Sequence, residues 1–230
     1  MPLLDLLTSS GLGSLLGMRH ALEPDHLAAV STLVGRERTG LRAAAVGACW
    51  GLGHTCSLVV VGALLVVLRK EMPAAVSDVF ELAVAFMLIG LGVRAIVQAA
   101  RQGPGGPTTL HRHGRLVHRH AGVPAHLHVG DWTLARRPLL IGAVHGLAGS
   151  GALTALVLAT LPTTAARLTY MALFGLGSTI GMATLSGLLG WPLARLGSHH
   201  LVARLVMLVV GCTSTVLGGL WGQAAFARMM

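Results

Sequence analysis

The chain has 230 residues, 53% of them apolar and only 11% charged, with a mean hydropathy of +0.73. An ordinary soluble domain carries roughly a quarter charged residues, so the composition argues against a soluble enzyme and for one integral membrane unit. Lys and Arg number 17 against 8 Asp and Glu, formally +9. These basic residues fall in short breaks between apolar runs, which is the pattern of cytoplasmic loops and not of a nucleic-acid surface.

Six apolar runs follow in chain order. The first, about Leu3 to Val34, contains Arg19, His20, Glu23, Asp25 and His26. The second, Ala43 to Leu68, has no Asp, Glu, Lys or Arg. The third, about Ala74 to Ala100, carries Asp78 and Glu81 near one end and Arg94 near the other. A basic segment then leads to three more charge-free runs: Pro138 to Ala166, Leu168 to Ala194 and Leu205 to Ala227. About 20 helical residues cross a hydrocarbon core of about 30 Å, so the expectation is an all-α integral membrane protein with six transmembrane helices. Arg19 is the first Lys or Arg, so the N-terminus has no basic signal-peptide region and the first run is expected to stay as a membrane helix.

Loop charge sets the expected orientation. Most Arg residues lie after the first, third and fifth runs, among them Arg36, Arg38, Arg42, Arg112, Arg115, Arg119 and Arg195. The opposite side holds Arg69, Lys70, Arg167 and Arg228. Positive residues mark the cytoplasmic face, so both termini are expected outside, in a multi-pass protein of the inner (cytoplasmic) membrane. Cys49, Cys56 and Cys212 all lie inside apolar runs. An odd count there argues against a disulfide framework and for small buried hydrophobes, with soft-metal ligation as the other reading.

The sequence repeats itself. Gly17-Met18-Arg19-His20-Ala21-Leu22 is echoed by Gly142-Ala143-Val144-His145-Gly146-Leu147, 125 positions on. Trp50-Gly51-Leu52-Gly53-His54-Thr55 is echoed by Phe174-Gly175-Leu176-Gly177-Ser178-Thr179, 124 positions on. Three helices per repeat is an odd number, so the halves are expected to be inverted relative to each other. That arrangement marks transporters, with the site near the midplane. The organisation is then residues 1–100 as the first membrane repeat, 101–137 as a loop and 138–230 as the second repeat.

Ionisable residues at membrane depth cost several kcal/mol each unless paired or wetted, and the first run holds five within eight positions. Its flanks are each too short to cross alone and read as halves of a broken helix. Pro24 supplies the break, because its ring cannot continue the hydrogen-bond ladder to the His20 carbonyl. On a straight helix His20 and His26 would point about 240° apart; unwinding at Pro24 lets His20, Asp25 and His26 converge. Two imidazoles and a carboxylate suit Ni²⁺, Co²⁺, Cu²⁺ or Zn²⁺ and fit Mg²⁺ or Ca²⁺ poorly. His54 and His145 are the further candidate ligands, with Arg19, Glu23, Pro24 and Ser150 as supporting residues. A lone histidine on an apolar face is more often a hydrogen-bonded core residue. The two gain weight from each other and from the echo of His20.

The string Arg19-His20-Ala21-Leu22-Glu23-Pro24-Asp25-His26 matches the H-x4-D-H signature of the nickel/cobalt transporter family, including its shorter, urease-associated relatives. Gly51-Leu52-Gly53-His54-Thr55 is similar to that family's second histidine motif, and His145-Gly146-Leu147-Ala148-Gly149-Ser150 resembles a segment of the shorter members. The resemblance implies metal selection and transport at His20, Asp25, His26 and His54. Two departures stand out. The best-known importers have eight helices, and the family's usual Asp-Ala before the final Asp-His is here Glu23-Pro24. The efflux branch often has Pro-Gly-His there, so Asp25 favours import while Pro24 leaves direction open.

The segment from Arg101 to Arg137 opens with Gly103-Pro104-Gly105-Gly106-Pro107 and carries His111, His113, His118, His120, His126 and His128, half of the chain's 12 histidines. Three His-x-His pairs point to loose transition-metal binding; a solvated basic linker is the alternative. The expectation is therefore a divalent-metal permease, nickel first and cobalt second, with no catalytic cofactor and no nucleotide-binding motif. Its partners would be the metal ion, the bilayer and nickel-enzyme maturation proteins, with no nucleic acid. The rivals are efflux by the same architecture, an intramembrane metalloenzyme with Glu23 as base, and a metal-delivery accessory protein that does not transport.

Overall fold

A computed structural model describes the backbone of residues 3–35, 37, 39–101, 109–113, 116–120, 127–129, 132–134, 136–196 and 200–230. It describes the side chains of 11–35, 37, 39–101, 136–149, 153, 156–157, 159–193, 195 and 201–230. The described helices are α1 (Leu3–His20), α2 (Pro24–Val34), α3 (Gly40–Leu68), α4 (Ala74–Arg101), α5 (Arg136–Thr160), α6 (Thr164–Leu196) and α7 (His200–Met229). Among the described residues, four helices are long and apolar enough to cross a bilayer: Gly40–Leu68, Ala74–Arg101, Thr164–Leu193 and Leu201–Met229. The all-helical membrane class holds. The basic segment adds two short antiparallel hairpins, β1 (Thr109–His113) with β2 (Leu116–His120) and β3 (Leu127–Val129) with β4 (Trp132–Leu134). In the first, His111 is paired with His118 in the backbone register.

The first apolar run is two helices, α1 and α2. The turn between them is Ala21-Leu22-Glu23, just ahead of Pro24. A proline forces the residue before it out of the helical region, and Glu23 is extended at φ −64° and ψ 149°. Pro24 then begins α2, where a preset φ and a missing N–H suit the first helical position. One expectation fails here: the His20 carbonyl is not set free by Pro24. It accepts from the Glu23 amide at 3.1 Å, and the Arg19 carbonyl accepts from Leu22 at 2.9 Å. The tight turn finds its own hydrogen bonds.

Helix packing follows the small residues. α3 lies between α5 and α6, α4 pairs with α7, and α1 lies along α6. Without a hydrophobic drive between helices in lipid, close backbone approach decides the pairing. A methyl group at Gly17 would overlap the Phe174 carbonyl, and one at Gly142 the Trp50 carbonyl. Gly177 is as close to the Ser14 carbonyl, and Gly53 to that of Leu139. Thr55 on α3 donates to the Gly175 carbonyl at 2.7 Å and shares a hydrogen bond with Thr179 at 2.8 Å. Ser214 on α7 donates to the Leu88 carbonyl on α4 at 2.9 Å. The apolar core between these helices includes Ala29, Val30, Trp50, Leu88 and Met182. Leucines such as Leu15, Leu64 and Leu188 cover the outside of the bundle. Cys49 is buried as expected, whereas Cys56 and Cys212 face outward; all three are free thiols.

Candidate metal centre

Four histidines and one aspartate from four helices meet inside the bundle. His20 ends α1. Asp25 and His26 occupy the first turn of α2, where a carboxylate is also favoured by the helix dipole. His54 comes from the middle of α3 and His145 from α5. Their rings stand close: His20 to His26 at 4.4 Å, His26 to His145 at 4.3 Å, and His54 at 5.3 Å from both His20 and His26, centroid to centroid. All but His20 are buried; His20 is half-buried. The convergence that a straight helix forbids is achieved by the turn at 21–23.

The hydrogen bonds are unevenly shared. Asp25 accepts from His26 Nδ1 at 2.9 Å through Oδ1 and from His145 Nε2 at 2.6 Å through Oδ2. Glu23 pairs with His20 Nδ1 at 3.0 Å. His20 Nε2, His26 Nε2, both ring nitrogens of His54 and His145 Nδ1 are buried without a hydrogen-bond partner among the described residues. Leaving a buried polar group unmatched costs about 1–3 kcal/mol each. Five such nitrogens in one place are hard to justify by folding alone, and a divalent cation satisfies several at once. Imidazole nitrogens and a carboxylate are the donor set of a borderline transition metal. Two groups of three donors lie close enough for one ion: His20, His26 and His54, and Asp25, His26 and His145.

A cavity of about 330 Å³ reaches this cluster. Glu23, His54 and His145 line it, together with Glu81 of α4 and Trp221 and Arg228 of α7. Arg228 donates to Asp78 at 2.8 Å and also pairs with Glu81. The sequence shows Asp78 and Glu81 near one end of the third run but not their partner Arg228, which lies 150 positions from Asp78. Trp50 was equally hidden in an apolar run; its fully buried ring stands 5.5 Å from His26 and 5.7 Å from His145. Phe174 stands 5.3 Å from His20.

Arg19 does not join the cluster. It is exposed at the end of α1 and forms no ion pair with Glu23 or Asp25 among the described residues; those carboxylates face histidines instead. The Ser150 side chain lies outside the described residues. So do the side chains of His111, His113, His118, His120 and His128, and the whole of His126.

Comparison with known proteins shows the family of the chain. Residues 6–218 match the family model described as high-affinity nickel-transport protein. The chain is 33% identical over 218 residues to the urease accessory protein UreH of Bacillus sp. (strain TB-90), covering 95% of this chain and 92% of that one. It is 30% identical over 190 residues to the chloroplast protein FOR GROWTH AND FERTILITY 1 of Arabidopsis thaliana, and 29% identical over 189 residues to FOR GROWTH AND FERTILITY 2. These alignments cover 80% and 81% of this chain, which spans about half the length of either chloroplast protein. No solved structure matches the chain. The family is one of transporters, which sets aside the intramembrane metalloenzyme. The chain is a membrane protein and belongs to the high-affinity nickel-transport family.

Proposed function

We propose that the protein is a divalent transition-metal permease, for nickel first and cobalt second, whose cargo is held by His20, Asp25, His26, His54 and His145. The observation that carries the reading is the set of buried, unpartnered imidazole nitrogens beside Asp25 at the foot of an open cavity. Glu23 steadies His20, and Pro24 starts the helix that delivers Asp25 and His26.

The membrane architecture in this reading has six spans, with α1 and α2 forming the first, in two inverted repeats: residues 1–100 and 138–230, joined by the loop 101–137. The glycine contacts support it. Gly17 against Phe174 and Gly142 against Trp50 are the same contact 124 or 125 positions apart. Gly177 against Ser14 and Gly53 against Leu139 are another such pair, and Gly92 against Gly211 matches Gly218 against Ala85 at 126 positions. Chance likeness between glycine-rich helices gives no reason for contacts to be reciprocal. Helices α3, α4 and α6, α7 then exchange roles about a twofold axis in the membrane plane. His54 lies at the middle of α3, which supports a site near the midplane.

With the basic loops in the cytoplasm, both termini lie outside an inner (cytoplasmic) membrane. The cavity then opens outward, between the start of α4 and the end of α7. An inside-negative potential is worth about 2.3 kcal/mol per charge per 100 mV, so a dication has a drive for uptake without ATP. The histidine loop faces the cytoplasm, where it buffers arriving metal or passes it to nickel-enzyme maturation proteins. The similarity to a urease accessory protein favours one second reading, delivery of nickel without transport. Cells expressing the protein in ⁶³Ni²⁺ medium separate the cases. Raised accumulation is the expected result. Lowered accumulation means efflux, and unchanged accumulation with nickel bound to the purified protein means an accessory role.

A further inference from the structure

We infer that the cluster is two overlapping three-donor sites used in turn: His20, His26 and His54 take the cation from the cavity, and Asp25, His26 and His145 receive it from them. The inference rests on the permease reading. Both groups are compact enough for one ion, and His26 is their common member. Both line the cavity, and they differ in how far hydrogen bonds already occupy their donor atoms. In the first, His20 Nε2, His26 Nε2 and both nitrogens of His54 are buried and without partners among the described residues. In the second, the carboxylate is occupied: its oxygens accept from His26 at 2.9 Å and from His145 at 2.6 Å. The first site offers free ring nitrogens from all three residues, while in the second the carboxylate is already engaged and His145 keeps only Nδ1 without a partner among the described residues. His26 serves both because its Nε2 is free while its Nδ1 is bound to Asp25.

The surroundings of the two groups mirror each other. His20 stands 5.3 Å from Phe174, and His145 stands 5.7 Å from Trp50. His20 and His145 are 125 positions apart, and Trp50 and Phe174 are 124 apart. One turn before each histidine a glycine rests on the carbonyl of the facing aromatic residue: Gly17 on Phe174 and Gly142 on Trp50. Each half thus contributes one histidine, backed by an aromatic ring from the other half. In an inverted pair, the two halves exchange conformations between the two access states. His20 and His145 are then the terminal ligands of successive states, and His26 swings the ion from one to the other. Helix α5, unbroken beside His145, carries no acidic counterpart of Glu23, and among the described residues His145 is held by Asp25.

The test uses the purified full-length protein, Ni²⁺ as the probe, calorimetric binding in detergent and ⁶³Ni²⁺ uptake in sealed vesicles. His145→Ala is expected to keep one-site binding within about threefold of wild type while uptake falls at least about tenfold. His20→Ala is expected to weaken binding itself at least about tenfold. X-ray absorption of the wild-type complex is expected to count three imidazoles. His145→Gln and His20→Gln repeat the comparison if an alanine variant does not elute as a folded protein. Equal loss of binding in the two variants would mean one shared shell and overturn the inference, as would wild-type uptake by His145→Ala. If the wild type itself binds or moves no nickel, the permease reading falls first.

Discussion

Helix α5 and the pair α1–α2 approach the same cluster in different ways. α5 passes it unbroken and, among the described residues, contributes His145. The α1–α2 pair stops at His20, turns through Ala21-Leu22-Glu23 and restarts at Pro24, and it contributes His20, Asp25 and His26. A continuous helix shows one point in space few of its side chains, because neighbours diverge by about 100° per residue. The break aims three donors together, and α3 and α5 need add only one each. Packing glycines serve both halves, whereas the helix break belongs to the first alone among the described residues.

The comparison breaks most severely at a packing glycine. Gly142→Leu places a branched side chain against the Trp50 carbonyl on α3. Overpacking of this kind costs about 1–3 kcal/mol, and more where backbone must move; the expected outcome is little or no monodisperse protein on size-exclusion chromatography. Pro24→Ala comes next. It allows a continuous helix that points His20 and His26 apart, and nickel uptake is expected to fall by about ten- to a hundredfold, the range for losing the support of metal ligands, with the circular-dichroism helix signal unchanged or higher. Unaltered uptake would mean that the tertiary packing, not the proline, holds the turn.

Much of this site could be read from the sequence, because membrane burial leaves few reasons for ionisable residues. His20, Asp25, His26 and His54 stand out for that reason alone, and His145 through the echo of its neighbours. What the sequence hid was partnership. Arg228 finds Asp78 and Glu81 only when α4 and α7 lie side by side, and Trp50 is one apolar residue among many until it is seen between His26 and His145. Arg19 reads as a supporting residue because it adjoins the cluster in sequence, whereas it is exposed on α1 and the carboxylates pair with imidazoles. The His20 carbonyl misled because a proline-based argument ignores the turn that a chain forms before the proline. Cys56 and Cys212 face outward because a thiol is apolar enough to sit on the surface of a membrane helix.

Two smaller effects sharpen the contrast. Thr55→Val removes the hydroxyl that joins α3 to the Gly175 carbonyl and to Thr179. Interhelical hydrogen bonds in membranes average about 0.6 kcal/mol and reach about 1.7 kcal/mol, so a modest fall in thermal midpoint with near-normal uptake is expected. Replacing residues 103–135 with a Gly/Ser linker leaves the cluster on α1, α2, α3 and α5 untouched. Vesicle uptake is expected to stay within about threefold of wild type, as befits a loosely binding histidine tract. A larger loss would move the loop from metal handling into the transport path.

The central claim is that the buried histidine and aspartate cluster carries nickel across the membrane. Its most direct test is ⁶³Ni²⁺ uptake into sealed vesicles holding the purified protein, under an inside-negative potential and without ATP, with wild type and His26→Ala side by side. His26 belongs to both three-donor groups. The account predicts uptake by the wild type and none above empty vesicles for the folded His26→Ala variant. Equal uptake by the two proteins, or nickel bound by the wild type but never carried inside, would contradict it.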